Sequence, residues 1–373
     1  MRITGRRLTA VTLAALSAAG LAACSSSPAA TGSSSGSGGG RSLTNVTWAV
    51  ASTSPSPLSE NIELAQSLGY CKDEGLNCSV TYVGSDQAAE AAVQQGRAQF
   101  AVGVPDFQVS QAVAAQGVPV IDFYEYTYPS KYWLVVPKNS SIQSVQQLSG
   151  KTVAIASAGT GDGGVLDKIL ESKDMNPSSV KTQSVAQGDA QGVAMNQGKV
   201  DAVLAYDTTL GAWQAAGISY RVLLSPSQEP KANGLYIATT AQYLASHKQV
   251  AIDYGKAIAQ ATVYALANPV SAAYLYNKLH PVSGAGESTA QQIQSTLDAV
   301  SLRSKLWTPY EDPAKLGYIQ PSEWVTQLSF SGGTGKVKST EFYTNELASQ
   351  IDDFAIAPIQ ARAKAQPTSP SAY

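Results

Sequence analysis

Two stretches of this chain, 102 residues apart, spell the same supersecondary unit. The first opens with Ser79-Val80-Thr81-Tyr82-Val83-Gly84-Ser85-Asp86 and closes, after a helical pattern, with Gln95-Gly96-Arg97-Ala98-Gln99-Phe100-Ala101-Val102. The second opens with Lys181-Thr182-Gln183-Ser184-Val185-Ala186-Gln187-Gly188-Asp189 and closes with Gln197-Gly198-Lys199-Val200-Asp201-Ala202-Val203-Leu204. Each reads as strand, polar turn, helix, glycine stop and strand. Ala88, Ala92 and Val93 recur at i, i+4 and i+5, the spacing of a helix packed on one face. Gly96 and Gly198 stand where a left-handed residue ends a helix. A further strand precedes each unit, at 46–51 and 153–156. Strands alternating with helices make parallel sheets covered on both faces, and two such units in one chain predict two similar α/β lobes.

Between the units, residues 118–138 are rich in β-branched and aromatic side chains, including Val120, Ile121, Phe123, Tyr124, Tyr126, Tyr128, Tyr132 and Trp133. They read as two extended segments, one of them crossing between lobes. Residues 233–239 read as the returning strand, and the chain from about 241 as mostly helical, with long patterns at 250–267 and 291–301. The expected organisation is lobe 1 over 46–125 plus 240–362, lobe 2 over 126–239, and a flexible tail over 363–373.

The N-terminus reads as an address. Residues 1–23 carry Arg2, Arg6 and Arg7, no acid, and an apolar run too short to span a membrane, as a signal peptide does. Leu21-Ala22-Ala23-Cys24 resembles the lipobox of bacterial lipoproteins, which makes Cys24 the expected lipidation site. Residues 25–40, with seven Ser and five Gly, fit a flexible tether; the tether segment is taken as 24–45. The expectation is an exported chain held to the outer face of the cytoplasmic membrane by lipid alone. Removing the leader leaves 22 basic residues against 27 acids, so neither a basic membrane-binding patch nor a nucleic-acid surface is indicated. Outside the cytoplasm the closely spaced Cys71 and Cys78 suggest a disulfide, with two buried thiols as the alternative.

An exported, tethered, two-lobed α/β chain resembles the substrate-binding proteins of ABC importers. The specific likeness is to the SsuA-like branch, whose members bind nitrate, sulfonates, taurine or thiamine precursors. Glu63-Leu64-Ala65-Gln66-Ser67-Leu68-Gly69-Tyr70 followed by Glu74-Gly75-Leu76 resembles that family's opening, and Gln95–Ala101 resembles one of its strand motifs, with Gln99 replacing the usual acid. Gly117-Val118-Pro119-Val120, Leu148-Ser149-Gly150-Lys151-Thr152-Val153-Ala154, Gly198-Lys199-Val200-Asp201-Ala202 and Phe342-Tyr343-Thr344-Asn345-Glu346-Leu347 follow in the family's order, over roughly residues 45–350. The resemblance implies a two-lobed periplasmic-binding-protein-like fold of type II, each lobe a mostly parallel sheet flanked by helices, with a hinge. It implies a monomer that hands a small solute to permease and ATPase subunits, without a cofactor.

Ligands of open α/β sheets lie beyond the carboxyl ends of the strands, so candidate contacts are read there. Thr53 and Ser54 follow the first strand and Asp106 the third, each with helix capping as the competing role. Ser85 or Asp86 reads as an N-cap. In lobe 2 the glycine-rich turn offers Ser157, Thr160, Gly161 and Asp162, and the last strand ends in Tyr206-Asp207. Gly159, Gly161 and Gly164 also fit a dinucleotide fingerprint, but the next strand ends Val185-Ala186-Gln187-Gly188 with no acid for a ribose. Strict alternation would set Tyr124 and Tyr126 on one face, available as an aromatic wall. No Lys or Arg is evident at a strand end. The acids and tyrosines therefore favour a nitrogen-bearing aromatic such as a thiamine precursor over an alkanesulfonate, taurine or nitrate.

Enzyme readings find little support. Gly32-Ser33-Ser34-Ser35-Gly36 lies in the tether, with no strand before it and no helix after it. Gly335-Lys336-Val337 lacks the rest of a P-loop, and His247 and His280 read as surface residues beside no nucleophile. Two histidines and three cysteines argue against a metal centre. An exported enzyme using the Gly159–Gly164 turn remains the alternative, as does a sensor or adhesin on the same scaffold.

Overall fold

The computed structural model describes residues 42–115, 117–129, 131–156, 162–186, 188–225, 231–232, 234–281 and 288–373. The leader, Cys24, most of the tether and the candidates Ser157, Thr160 and Gly161 lie outside these residues.

The duplicated units build two five-stranded sheets of the same design. The first is ordered β2 (Leu76–Tyr82), β1 (Thr44–Val50), β3 (Phe100–Gly103), β10 (Leu235–Thr239) and β4 (Ile121–Thr127). The second is ordered β7 (Lys181–Ser184), β6 (Thr152–Ile155), β8 (Ala202–Tyr206), β5 (Tyr132–Pro137) and β9 (Tyr220–Leu224). Three strands run parallel in each sheet, and the fourth and fifth pair antiparallel. The fourth strand, β10 or β5, is in each case the one that enters immediately after the chain passes from the other lobe.

The helix stops are the same in both units. Gly96 and Gly198 each adopt φ 69°, open to glycine without steric cost. The following Arg97 and Lys199 donate their backbone N–H to Ala92 and Ala194, five residues back. The strand after each stop is buried on both faces, Phe100–Gly103 entirely and Ala202–Tyr206 nearly so, as a central strand between helix layers must be. Lobe 1 packs around Trp48, Phe100 and Tyr254, and lobe 2 has an apolar cluster on each side of its sheet. Cys71 and Cys78 are disulfide-bonded, Cα atoms 6.1 Å apart, joining the short Tyr70–Asp73 helix to β2.

Three boundaries differ from the expected ones. The returning strand β10 lies inside the first sheet, between β3 and β4, so lobe 1 resumes before Leu235 rather than at 240. The Thr289–Val300 helix belongs to neither lobe alone: it packs on the Pro269–Leu279 helix of lobe 1 and on the Asp207–Ala215 helix of lobe 2. The approach is close enough that a Cβ on Gly211 would lie 2.4 Å from the Asp298 carbonyl oxygen. The tail, expected to be flexible, makes specific contacts with lobe 1. Asn268 Nδ2 donates to the carbonyls of Ala363, Gln366 and Pro367, and the Tyr373 ring stacks on Tyr274 at 4.1 Å.

Candidate functional site

The carboxyl ends of β1, β3 and β8 open onto one cavity of about 800 Å³ between the two sheets. Lobe 1 contributes Ser52, Asp86, Asp106, Phe107 and Tyr126; lobe 2 contributes Lys131, Tyr132, Gly164, Tyr206 and Thr208. The C-terminal region adds Arg303, Phe330 and Ser331. Its volume falls in the range of small-molecule sites.

Most polar groups around the cavity already have partners. Asp106 begins the Pro105–Ala115 helix and accepts from Gln327 Nε2 at 2.7 Å and from the Ser331 hydroxyl at 2.6 Å. Asp162 is buried behind the aromatic wall. It accepts from the hydroxyls of Tyr132 (3.1 Å) and Tyr206 (2.6 Å) and from the Ala156 backbone N–H (3.0 Å). Asp207, fully buried at the start of its helix, receives Arg303 through Nε and Nη2 at 2.6 and 2.9 Å. This paired guanidinium ties the segment after the Thr289–Val300 helix to lobe 2. Phe330 reaches the same lobe by packing against its apolar cluster.

Two charged groups stand otherwise. Lys131 lies at the entrance to β5, its ammonium 5.7 Å from the Tyr132 ring centre and 5.6 Å from that of Tyr206. Burial pulls its pKa down and Arg303 adds to this, while Asp106, Asp86 and Asp162 oppose. Asp86 sits in the first turn of the Asp86–Gln94 helix, whose N-cap is Ser85, accepting from the Ala88 N–H at 3.2 Å. Burial raises the Asp86 pKa, Lys131 opposes, and Asp106 adds to the rise.

Of the candidates read from sequence, Asp106, Tyr126 and Tyr206 line the cavity. Asp162 and Asp207 hold the residues that line it. Thr53 and Ser54 are exposed and do not line it; their neighbours Ser52 and Ser56 do. Tyr124 is elsewhere: its ring covers Gly317, where a Cβ would come within 2.2 Å of it. A register shift between Leu235 and Tyr236 leaves Tyr126 out of the pairing of β4 with β10 and so interrupts the alternation between Tyr124 and Tyr126. No Lys or Arg leaves a strand into the cavity, but two cations line it by other routes: Lys131, just before β5, and Arg303, after the Thr289–Val300 helix. His280, read as a surface residue, pairs with the buried Glu63 carboxyl. Among the described residues no cluster of His, Cys, Asp or Glu has the geometry to hold a metal ion, and no helix is long and apolar enough to cross a membrane.

The family model described as NMT1/THI5 like matches residues 59–272. No curated protein sequence matches the chain. Among solved structures, the putative periplasmic sulfonate-binding protein SsuA of Methylobacillus flagellatus superposes with TM-score 0.58 at 13% identity, covering 88% of this chain and 98% of that one. The periplasmic aliphatic sulphonate binding protein SsuA of Escherichia coli gives 0.57 at 16%, over 80% and 91%. The alkanesulfonate-binding SsuA of Xanthomonas axonopodis pv. citri, bound to MOPS, gives 0.54 at 12%, over 83% and 97%. At these identities the likeness is one of fold, the two-lobed architecture of periplasmic binding proteins.

Proposed function

The chain belongs to the NMT1/THI5-like family, and from that premise we propose that it is the extracytoplasmic solute-binding component of an ABC importer. In this reading the lobes close on a small organic solute and deliver it, unchanged, to a permease and its ATPase. The protein acts as a monomer without a cofactor, held at the outer face of the cytoplasmic membrane through a lipidated Cys24. The observation that carries the reading is one cavity lined from both lobes at the strand ends, with the chain crossing between lobes twice beside it. A solute touching both lobes binds the closed form better than the open one, which is all that closure requires.

The solute we propose is aromatic and nitrogen-bearing, of the thiamine-precursor kind. Tyr126, Tyr132 and Tyr206 line the cavity, and four carboxylates at or behind it (Asp86, Asp106, Asp162 and Asp207) outnumber the two cations Lys131 and Arg303. That balance favours a donor-rich solute over a bare anion.

Thermal unfolding in the presence of pyrimidines, amines, alkanesulfonates and nitrate tests this. A ligand at about 100 times its Kd adds ~2.7 kcal/mol, a shift readily seen. Stabilisation by nitrogen heterocycles and not by alkanesulfonates is expected. The reverse pattern overturns the solute assignment and leaves the importer role standing.

A further inference from the structure

Lys131 and Asp86 line one cavity from opposite lobes, close enough to feel each other's charge but without a hydrogen bond or ion pair among the described residues. Asp106, Asp162, Asp207 and Arg303 all have partners at 2.6–3.1 Å. Among the described residues, by contrast, no hydrogen bond or ion pair involves the Lys131 ammonium or the Asp86 carboxylate, although both line the cavity. The ammonium rests beside two tyrosine rings, an attraction that positions a cation without using its three N–H donors. The carboxylate is carried on the first turn of a lobe 1 helix, with its lone pairs likewise unspent.

We propose that the cleft recognises a two-ended solute: an aromatic ring with a donor or positive group that meets Asp86, and an acceptor or negative group that meets Lys131. The proposal rests on the solute-binding reading above and deepens it. The physical reason is the cost of closure. When the lobes come together, water leaves the cavity, and a charged group without a partner is then left desolvated. A solute bearing only one of the two groups satisfies one lobe and strands the other. A two-ended solute satisfies both, and because the two groups belong to different lobes, its affinity is itself a preference for the closed form. A site built around polar partners discriminates strongly against analogues lacking one of them.

Calorimetric titration of the full chain with 4-(aminomethyl)benzoate, 3-(aminomethyl)benzoate, benzylamine and benzoate tests the proposal. At least one two-ended probe is expected to bind tenfold or more tighter than either one-ended probe. Lys131→Met should weaken that probe at least tenfold yet strengthen benzylamine, because a like charge leaves the cavity. Asp86→Asn should weaken it and strengthen benzoate. A merely structural role for either residue would not produce this reciprocal change of sign. Lys131→Gln and thermal melts of each variant separate lost binding from lost folding. One-ended probes binding as tightly as the two-ended ones, or no probe binding at all, overturns the proposal. In either case the solute-binding reading survives if a nitrogen heterocycle of the thermal panel still stabilises the protein, and fails with it if none does.

Discussion

Glu60 and Glu90 carry carboxyls into the body of lobe 1, each 1% exposed. Glu60 Oε2 and both carboxyl oxygens of Glu90 have no hydrogen-bond partner among the described residues. Burial pushes both up to about 8, and Asp86 contributes to the rise at Glu90. A carboxyl that is neutral inside the fold and ionised outside it takes up a proton on folding. Its stabilising effect is therefore complete below the ordinary value near 4.5 and is lost as pH rises through about 8. Melting temperature should fall between pH 5 and pH 9, at a cost on the order of 2–4 kcal/mol for each carboxyl forced to ionise. Glu90→Gln should flatten that fall, and a level profile for the unsubstituted protein would contradict the assignment. Asp207 makes the opposite case, an acid buried with its partner. Asp207→Asn leaves the Arg303 guanidinium enclosed without its counter-ion, a loss of about 3–5 kcal/mol measurable by urea unfolding. The double change Asp207→Asn with Arg303→Met should recover part of it. Single residues were also where the sequence was hardest to read. Asp106 follows β3 closely and Tyr206 ends β8, so local pattern alone places them at the cavity. Arg303, Phe330 and Ser331 arrive from far along the chain, and no local signal points to a contact of that range. Lys131 was missed because it enters β5 rather than leaving a strand, and the sequence rule looks only at exits.

At the level of elements, the repeated helix–glycine–strand turn was legible because everything that fixes it lies within a few residues. Gly96→Ala and Gly198→Ala should each cost about 1–2 kcal/mol, since both force a Cβ into the same left-handed conformation. Unequal costs by chemical denaturation would mean that the two units are less alike than their backbones. The antiparallel strands were harder. Which sheet receives β10 depends on pairing with β3 and β4, more than a hundred residues earlier, and not on its own apolar pattern. The shift that interrupts the alternation between Tyr124 and Tyr126 belongs to that same pairing. Composition says little of the tail, where a Pro/Ser/Ala-rich end meets the Asn268 amide and stacks Tyr373 on Tyr274. Asn268→Ala should release it, at a cost of roughly 1–3 kcal/mol for the buried groups left unpaired, and proteolysis should then trim the chain after Ala363.

Across the whole molecule, duplication explains both the symmetry and the site. Two units with parallel strands place two sets of strand ends opposite each other, and the chain that must connect them crosses beside the gap. The Thr289–Val300 helix and the Arg303–Asp207 pair add a further bond between the lobes that the sequence repeat does not contain. The proposed role needs this gap to bind a small nitrogen-bearing solute between the lobes. Isothermal titration of the full chain with an aminopyrimidine and with ethanesulfonate tests it most directly. Saturable one-to-one binding of the aminopyrimidine, weakened at least tenfold by Tyr206→Ala, is expected, with no heat from ethanesulfonate. Binding of ethanesulfonate alone, or aminopyrimidine binding untouched by Tyr206→Ala, would contradict it.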